Sequence, residues 1–269
     1  DNRELPGYVL LNNDWIPNGG SENFDSAFLP ATHGATWLRA KGQTVDNIVS
    51  RDALEVQRRK LDLLRAQDGQ FAGDASSQAI EAAIKNYETA FRMQFAIPQV
   101  AGIESETEAT LRMYGIDSAN DFKKYYSLQC LRARRLVEAG VRFVEITCPL
   151  THANNSPWDQ HGNLPSDLRL QCEDTDRPIG ALLGDLRRLG LLDETLVVWG
   201  GEFGRQPVSQ GNQGGRDHNP KGFTYWLAGG GVRGGVSYGE TDPLGAEAVV
   251  HRRHVRDLHA TILRLMGFN

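Results

Sequence analysis

Two short stretches of this chain gather carboxylates, imidazoles and a guanidinium at spacings that could do chemistry. The first, WDQHGN, carries Asp159 and His161 at i, i+2, directly after Trp158. The second runs GGEFGR and then, after a Gly-rich interval, GGRDHNP; it carries Glu202, Arg205, Asp217 and His218. Imidazole combined with carboxylate suits zinc, manganese or iron, whereas calcium prefers cages built from oxygen. Asp159, His161, Glu202 and His218 are therefore the candidate ligands of a divalent metal, zinc first, with manganese or iron as alternatives. Such an ion lowers the pKa of a water or hydroxyl nucleophile and polarises an ester oxygen. Arg205 and Asp217 are the candidate catalytic groups. Arg205 would clamp an anionic substrate or neutralise transition-state charge, unless it forms a structural ion pair with Glu202. Asp217 would either ligate or orient His218.

Something must bring the two stretches together, and the hydrophobic pattern suggests what. VRFVEIT (141–147) is a short β-branched run after a helix and a Gly, and reads as a buried parallel strand leading into the first loop. Ile179, Leu182, Leu183, Leu186 and Leu189 form one apolar helical face, with Pro178 in the first turn. The strand at 195–199 follows and leads into the second loop. Right-handed crossovers would place both loops at the carboxyl edge of one sheet, where open α/β sheets bind ligands. A third strand is expected at 223–228 and a closing helix at 255–266.

Upstream, residues 1–46 are loop-rich, with isolated aromatics and one strand-like run, YVLL. Residues 47–140 are mainly helical. Leu54, Val56, Leu61 and Leu64 mark one helix and residues 79–95 another. A long third helix spans 118–139, capped by Asp117 or Ser118 and stopped by Gly140. Residues 141–269 repeat strand and helix. The fold class expected is α/β, a doubly wound and mostly parallel sheet flanked by helices, in a single domain over 1–269.

A net charge of -5 and a pI near 5.8 argue against a nucleic-acid partner. No apolar run approaches the roughly 18 residues of a membrane helix. Arg132, Arg134 and Arg135 read as a solvated helix face. Cys130, Cys148 and Cys172 lack metal-ligand or disulfide spacing and read as small core residues. His152, beside Asn154 and Asn155, reads as a loop hydrogen-bonder. Asp257 and His259 read as a helix cap and a partly buried histidine. Asn163 and Lys221 flank the candidate site.

The segment DRPIGALLGDLRRLGLLDETLVVWGGEFGR resembles the carboxyl-terminal metal loop of sulfatases and other alkaline-phosphatase-superfamily enzymes. The wider set, LPGYVLLNNDWIPNGGSENFDSAFLPA, WDQHGN, GGEFGR, GRDHNP, WLAGGGVRGG, YGETD and DLHATIL, resembles the sulfatase-like bacterial domain-of-unknown-function family 1501 over nearly the whole chain. That resemblance implies a metal-dependent hydrolase of phosphate-type esters (mono-, di- or triester), with sulfate esters next in line and a small anionic ester as substrate. The alternative is a non-catalytic binding or scaffold module on a degenerate sulfatase-like fold. Residue by residue, Glu202 takes the Asp position of the superfamily's Asp-His-Gly turn, and Phe203 stands where a ligating His is usual. Asp159 and His161 resemble the preceding Asp and His, and His218 the following His. Family members normally have an amino-terminal region, often behind an export signal, that supplies the first strand, a further Asp ligand and the nucleophile. A periplasmic or exported protein is implied, and metal-activated water is the nucleophile this chain could organise by itself. A sheet without that first strand would need cover. A homo-oligomer is one expectation; the other is that residues 1–46 fold back and bury Tyr8, Trp15 and Phe28.

Overall fold

The structure, a computed structural model, describes residues 4–12, 16–17, 19–70, 77–148, 158–209 and 214–268. The chain divides into two compact units: Asp1–Leu150 with Asp174–Leu182, and Thr151–Glu173 with Leu183–Asn269. Together they form a mixed α/β protein with a three-stranded parallel sheet and, among the described residues, six α-helices. None of those helices is long and apolar enough to cross a membrane.

In the first unit the YVLL run becomes β1 (Tyr8–Asn12), followed by β2 (Thr36–Arg39). Four helices come next: α1 (Leu54–Gln70), α2 (Ser77–Ala101), α3 (Glu108–Tyr114) and α4 (Asp121–Glu138). The unit's last strand is β3 (Phe143–Ile146). The sheet order is β2-β1-β3, all parallel, with Leu10 opposite both Trp37 and Glu145. The central strand is the most apolar: Val9, Leu10 and Leu11 are fully buried, as parallel strands covered on both faces require. Val9, Leu11 and Leu38 pack on Met93 and Ile97 of α2 and Leu136 of α4.

Several expectations shift here. β3 is parallel, but Phe143 is half-exposed and its neighbours only partly covered, because β3 is an edge of the three-stranded sheet. The third expected helix begins three residues late. Asn120 rather than Asp117 or Ser118 caps it, its Oδ1 accepting the N–H groups of Phe122 (2.9 Å) and Lys123 (3.4 Å). Gly140 does stop it: at φ +88° it lets Val141 N–H return to the Leu136 carbonyl at 2.9 Å. The apolar positions of α1 form a helix but bury nothing, and Leu54 and Val56 stay exposed.

The arginine run is not a solvated face. Arg132 donates to the Ala101 and Arg39 carbonyls (3.0 and 2.7 Å), and Arg135 to those of Val100 and Gln99 (2.8 and 2.9 Å). Arg134 and Arg135 both reach Glu106 Oε1, at 2.7 and 2.5 Å. The last turn of α2 leaves carbonyls without helical partners, and cationic donors suit that negative helix end, so Arg132 and Arg135 find acceptors there.

The aromatic segment is pinned by a different pair than expected. Phe24 and Trp37 meet edge to face at 5.5 Å. Tyr8 is half-buried against Phe143 and donates to Glu145 at 2.5 Å. Burial and that acceptor push its phenol pKa up. Phe28, by contrast, is 94 % exposed; Trp15 lies outside the described residues.

Helix α5 (Leu164–Arg188) gives Asp174–Leu182 to the first unit and both its ends to the second. The helix opens fourteen residues before Pro178, with Pro165 in its first turn. Pro178 is therefore a buried interior proline rather than a start signal. Its fixed φ is compatible with a helix, and it removes one backbone hydrogen bond.

The second unit then runs β4 (Val197–Trp199), β5 (Gly204–Arg205), β6 (His218–Asn219), β7 (Trp226–Ala228), β8 (Glu240–Thr241), β9 (Ala248–Val250) and α6 (Val255–Leu265). Among the described residues β4 belongs to a two-stranded sheet. It pairs antiparallel with β7, Val198 opposite Leu227. Gly229 and Gly230, both at positive φ, explain the return: a Cβ on either would overlap the backbone of Leu192, Thr195 or Leu196. The strand that leads into the second candidate loop is thus part of an antiparallel pair. At α6, His254 is the cap and Asp257 its reciprocal partner, while His259 is exposed, not partly buried.

Candidate metal centre

What joins the two chemistry-bearing stretches is local backbone pairing. β5 and β6 are two-residue antiparallel partners, with Arg205 opposite His218. A Gly162–Gly214 bridge ties WDQHGN to the segment entering β6. Arg216 N–H donates to the Gln160 carbonyl (3.0 Å) and Gln206 N–H to that of Asp217 (2.8 Å). The approach is close enough that a Cβ on Gly215 would overlap the backbone carbonyl of His161. Gln160 is buried between the two carboxylate- and imidazole-bearing positions.

Three donor atoms meet as a result. Asp159 Oδ1 lies 2.9 Å from His161 Nε2 and 2.9 Å from His218 Nε2, and the two nitrogens are 3.1 Å apart. Two imidazole lone pairs facing each other and a carboxylate repel unless a proton or cation lies among them. Around tetrahedral zinc, donors at about 2.0–2.1 Å from the ion sit roughly 3.3 Å from one another. The observed triangle is close to one face of such a polyhedron, so the residues fit a divalent ion. The side chains are 35 % (Asp159), 48 % (His161) and 39 % (His218) exposed, leaving the remaining face open to solvent and ligand.

Neighbouring groups hold this face in place. Arg205 Nη2 contacts Asp159 Oδ1 at 2.9 Å and donates to the Trp158 carbonyl at 2.5 Å; its Nη1 donates to the Arg216 carbonyl at 3.1 Å. Trp158, at φ +65°, packs edge to face on Trp199. Asp217 Oδ1 accepts the backbone N–H of His218 at 2.7 Å and lies 3.7 Å from His161 Nδ1. Phe203 covers the His218 ring at a centroid distance of 4.2 Å. Partial burial would raise the Asp159 pKa. Hydrogen bonds from His218 and Arg205 and the nearby His161 and Arg205 charges outweigh it, holding the carboxyl below its ordinary range.

Of the four candidate ligands, the structure gathers Asp159, His161 and His218. Glu202 is exposed and outside the triad, because the β5–β6 pairing turns in after it, at Gly204. Arg205 pairs with Asp159 rather than Glu202 and also contacts two backbone carbonyls. Asp217 lies beside both histidines, outside the triad. Asn163 adopts the left-handed conformation ahead of α5, and Lys221 lends its backbone to a loop contact. His152, Asn154 and Asn155 lie outside the described residues. Gln160, Gly215 and Arg216 escaped the sequence reading; only the glycine cluster around 214–215 hinted at a close approach there.

A family model described as "Protein of unknown function (DUF1501)" matches residues 1–269. No curated protein matches the chain. No solved structure matches it either.

Proposed function

The chain belongs to the DUF1501 family, and from the geometry of its second unit we propose that it is a metal-dependent hydrolase of phosphate-type esters, with sulfate esters as the second substrate class. The observation that carries this reading is the triangle of Asp159 Oδ1, His161 Nε2 and His218 Nε2 with its open outer face. Three protein ligands with a vacant position are the pattern of catalytic rather than structural zinc sites. When bound there, a divalent ion (zinc, with manganese or iron as alternatives) would supply Lewis acidity and water activation at neutral pH.

The chain's own residues do the positioning. Arg205 fixes Asp159, and Asp217 fixes the backbone of His218 while lying beside the ring of His161. Phe203 covers one face of His218 and excludes water from it. A small anionic ester would enter from the exposed side. The parallel β2-β1-β3 sheet, with helices between β2 and β3, supports an alkaline-phosphatase-like architecture for the first unit, and the family resemblance supports an exported location. The rival reading is a binding module on the same scaffold.

The deciding experiment pairs elemental analysis with a panel of chromogenic phosphate mono-, di- and triesters and sulfate esters. We expect bound metal and chelator-sensitive turnover in the wild type, and loss of both in His161→Ala/His218→Ala. Glu202→Gln should keep its metal. Metal content unchanged in the double variant sinks the metal reading. Metal present without turnover on any ester favours the binding module.

A further inference from the structure

Several arginines of this chain are matched by carboxylates: Arg58 by Asp62 and Glu88, Arg39 by Asp46, Arg134 and Arg135 by Glu106, Arg188 by Asp185. The segment that leaves β9 differs. Residues 251–256 read HRRHVR, three arginines and two histidines without a carboxylate, in a chain of net charge -5. All six are exposed.

Their contacts are with neutral groups. Arg253 Nη2 donates to Tyr238 Oη at 2.5 Å and its guanidinium lies over that ring at 5.5 Å. His251 stacks on the same ring at 5.1 Å and 18°. Arg256 Nε donates to His254 Nδ1 at 3.3 Å. A neutral acceptor orients a guanidinium without cancelling its charge, which a carboxylate would do. Among the described residues neither adjacent acid forms an ion pair with an arginine of the strip. Asp257 Oδ2 is taken by the backbone N–H of His254 at 2.9 Å, and among the described residues Glu240, opposite Val250, forms no ion pair with the strip.

The strip is also fastened to the loop that carries His218. Buried Asn219, next in sequence, donates Nδ2 to the Ala246 carbonyl at 3.0 Å. The Lys221 carbonyl accepts Ala248 N–H at 2.9 Å. Gly239 lies against the Val250 carbonyl, where a Cβ would sit at 3.2 Å, and this sets Tyr238 beside His251.

We propose that His251–Arg256 is an anion-docking site for a small ligand carrying two or more phosphate or sulfate ester groups. Arginine forks suit the tetrahedral oxyanions of both. His251 already occupies a face of Tyr238, so the ring is not a base-stacking platform, and the chain's net negative charge repels a long nucleic acid. The proposal deepens the ester-hydrolase reading but does not need a metal, so the two can fail separately.

The test is calorimetric titration of the full chain with inositol hexakisphosphate and, in a second arm, sucrose octasulfate, at low and moderate salt. We expect binding that weakens with salt and falls by about tenfold in Arg252→Glu/Arg253→Glu. Arg252 has no hydrogen bond or ion pair among the described residues, so Arg252→Glu alone should fold normally by circular dichroism and still bind less tightly. Lys85→Glu, an equal charge change on α2, should leave affinity unchanged, as should His161→Ala/His218→Ala. The stronger arm identifies phosphate or sulfate as the preferred group. No binding in either arm overturns the proposal. So does equal affinity in the Arg252 variants, an equal loss in Lys85→Glu, or loss of binding in the histidine double variant.

Discussion

Asp217 serves both histidines of the candidate centre with one oxygen: its Oδ1 accepts the backbone N–H of His218 at 2.7 Å and faces His161 Nδ1 at 3.7 Å. A carboxylate behind a ligating imidazole fixes its tautomer and raises its basicity. Asp217→Asn should therefore weaken metal binding by about 10–100-fold. Competition titration with a chromophoric chelator measures this, and an unchanged affinity would make the contact incidental.

Acid should act on the metal-free protein through Asp159. Its carboxyl pKa is held below the ordinary range, so the ionised form favours the folded state. That contribution is fully present above the unfolded value of about 3.9 and is lost as pH falls through the lower, folded value. Thermal midpoints of chelator-treated protein between neutrality and strong acid should fall more steeply at the acid end in the wild type than in Asp159→Asn. Parallel curves would contradict the assignment.

Gly215→Ala tests the close approach of the two loops. The added methyl would meet the His161 carbonyl, a backbone atom that cannot rotate away, so the WDQHGN segment must shift. We expect lost or much weaker metal binding with the helical signal retained by circular dichroism. Wild-type affinity in this variant would mean that the loops do not meet as described.

Glu106 tests the buried arginine cluster. Its Oε1 is shared by Arg134 and Arg135, and the side chains of Arg134 and Glu106 are almost wholly buried. Removing the carboxylate takes from Arg135 its carboxylate partner and leaves Arg134 only the half-exposed Glu138, so Glu106→Ala should cost about 3 kcal/mol in urea unfolding. A loss under about 1 kcal/mol would place the pair in the weak surface class.

Much of the architecture was readable from local pattern. The YVLL run gives the central strand, the spacing of Leu182 and Leu186 gives the packed face of α5, and Gly140 ends α4. The donor types that meet were readable too, since Asp159, His161 and His218 carry ligand-type side chains. Where reading failed, a local signal was outweighed by something distant. Pro178 looks like a helix start only when the helix running up to it is unseen. Arg132, Arg134 and Arg135 look solvated until the end of α2 presents its carbonyls.

The sequence by itself determined which donors were on offer and which segments would be helix or strand, because propensity, periodicity and side-chain chemistry act over a few residues. Only the tertiary structure decided which donors meet. Asp159 and His161 reach His218 because Gly215 lets two backbones touch and β5 pairs with β6. Glu202, of equal chemical promise, is left outside by the same pairing. Convergence at about 3 Å depends on long-range backbone register, and no short-range pattern in the chain carries that information.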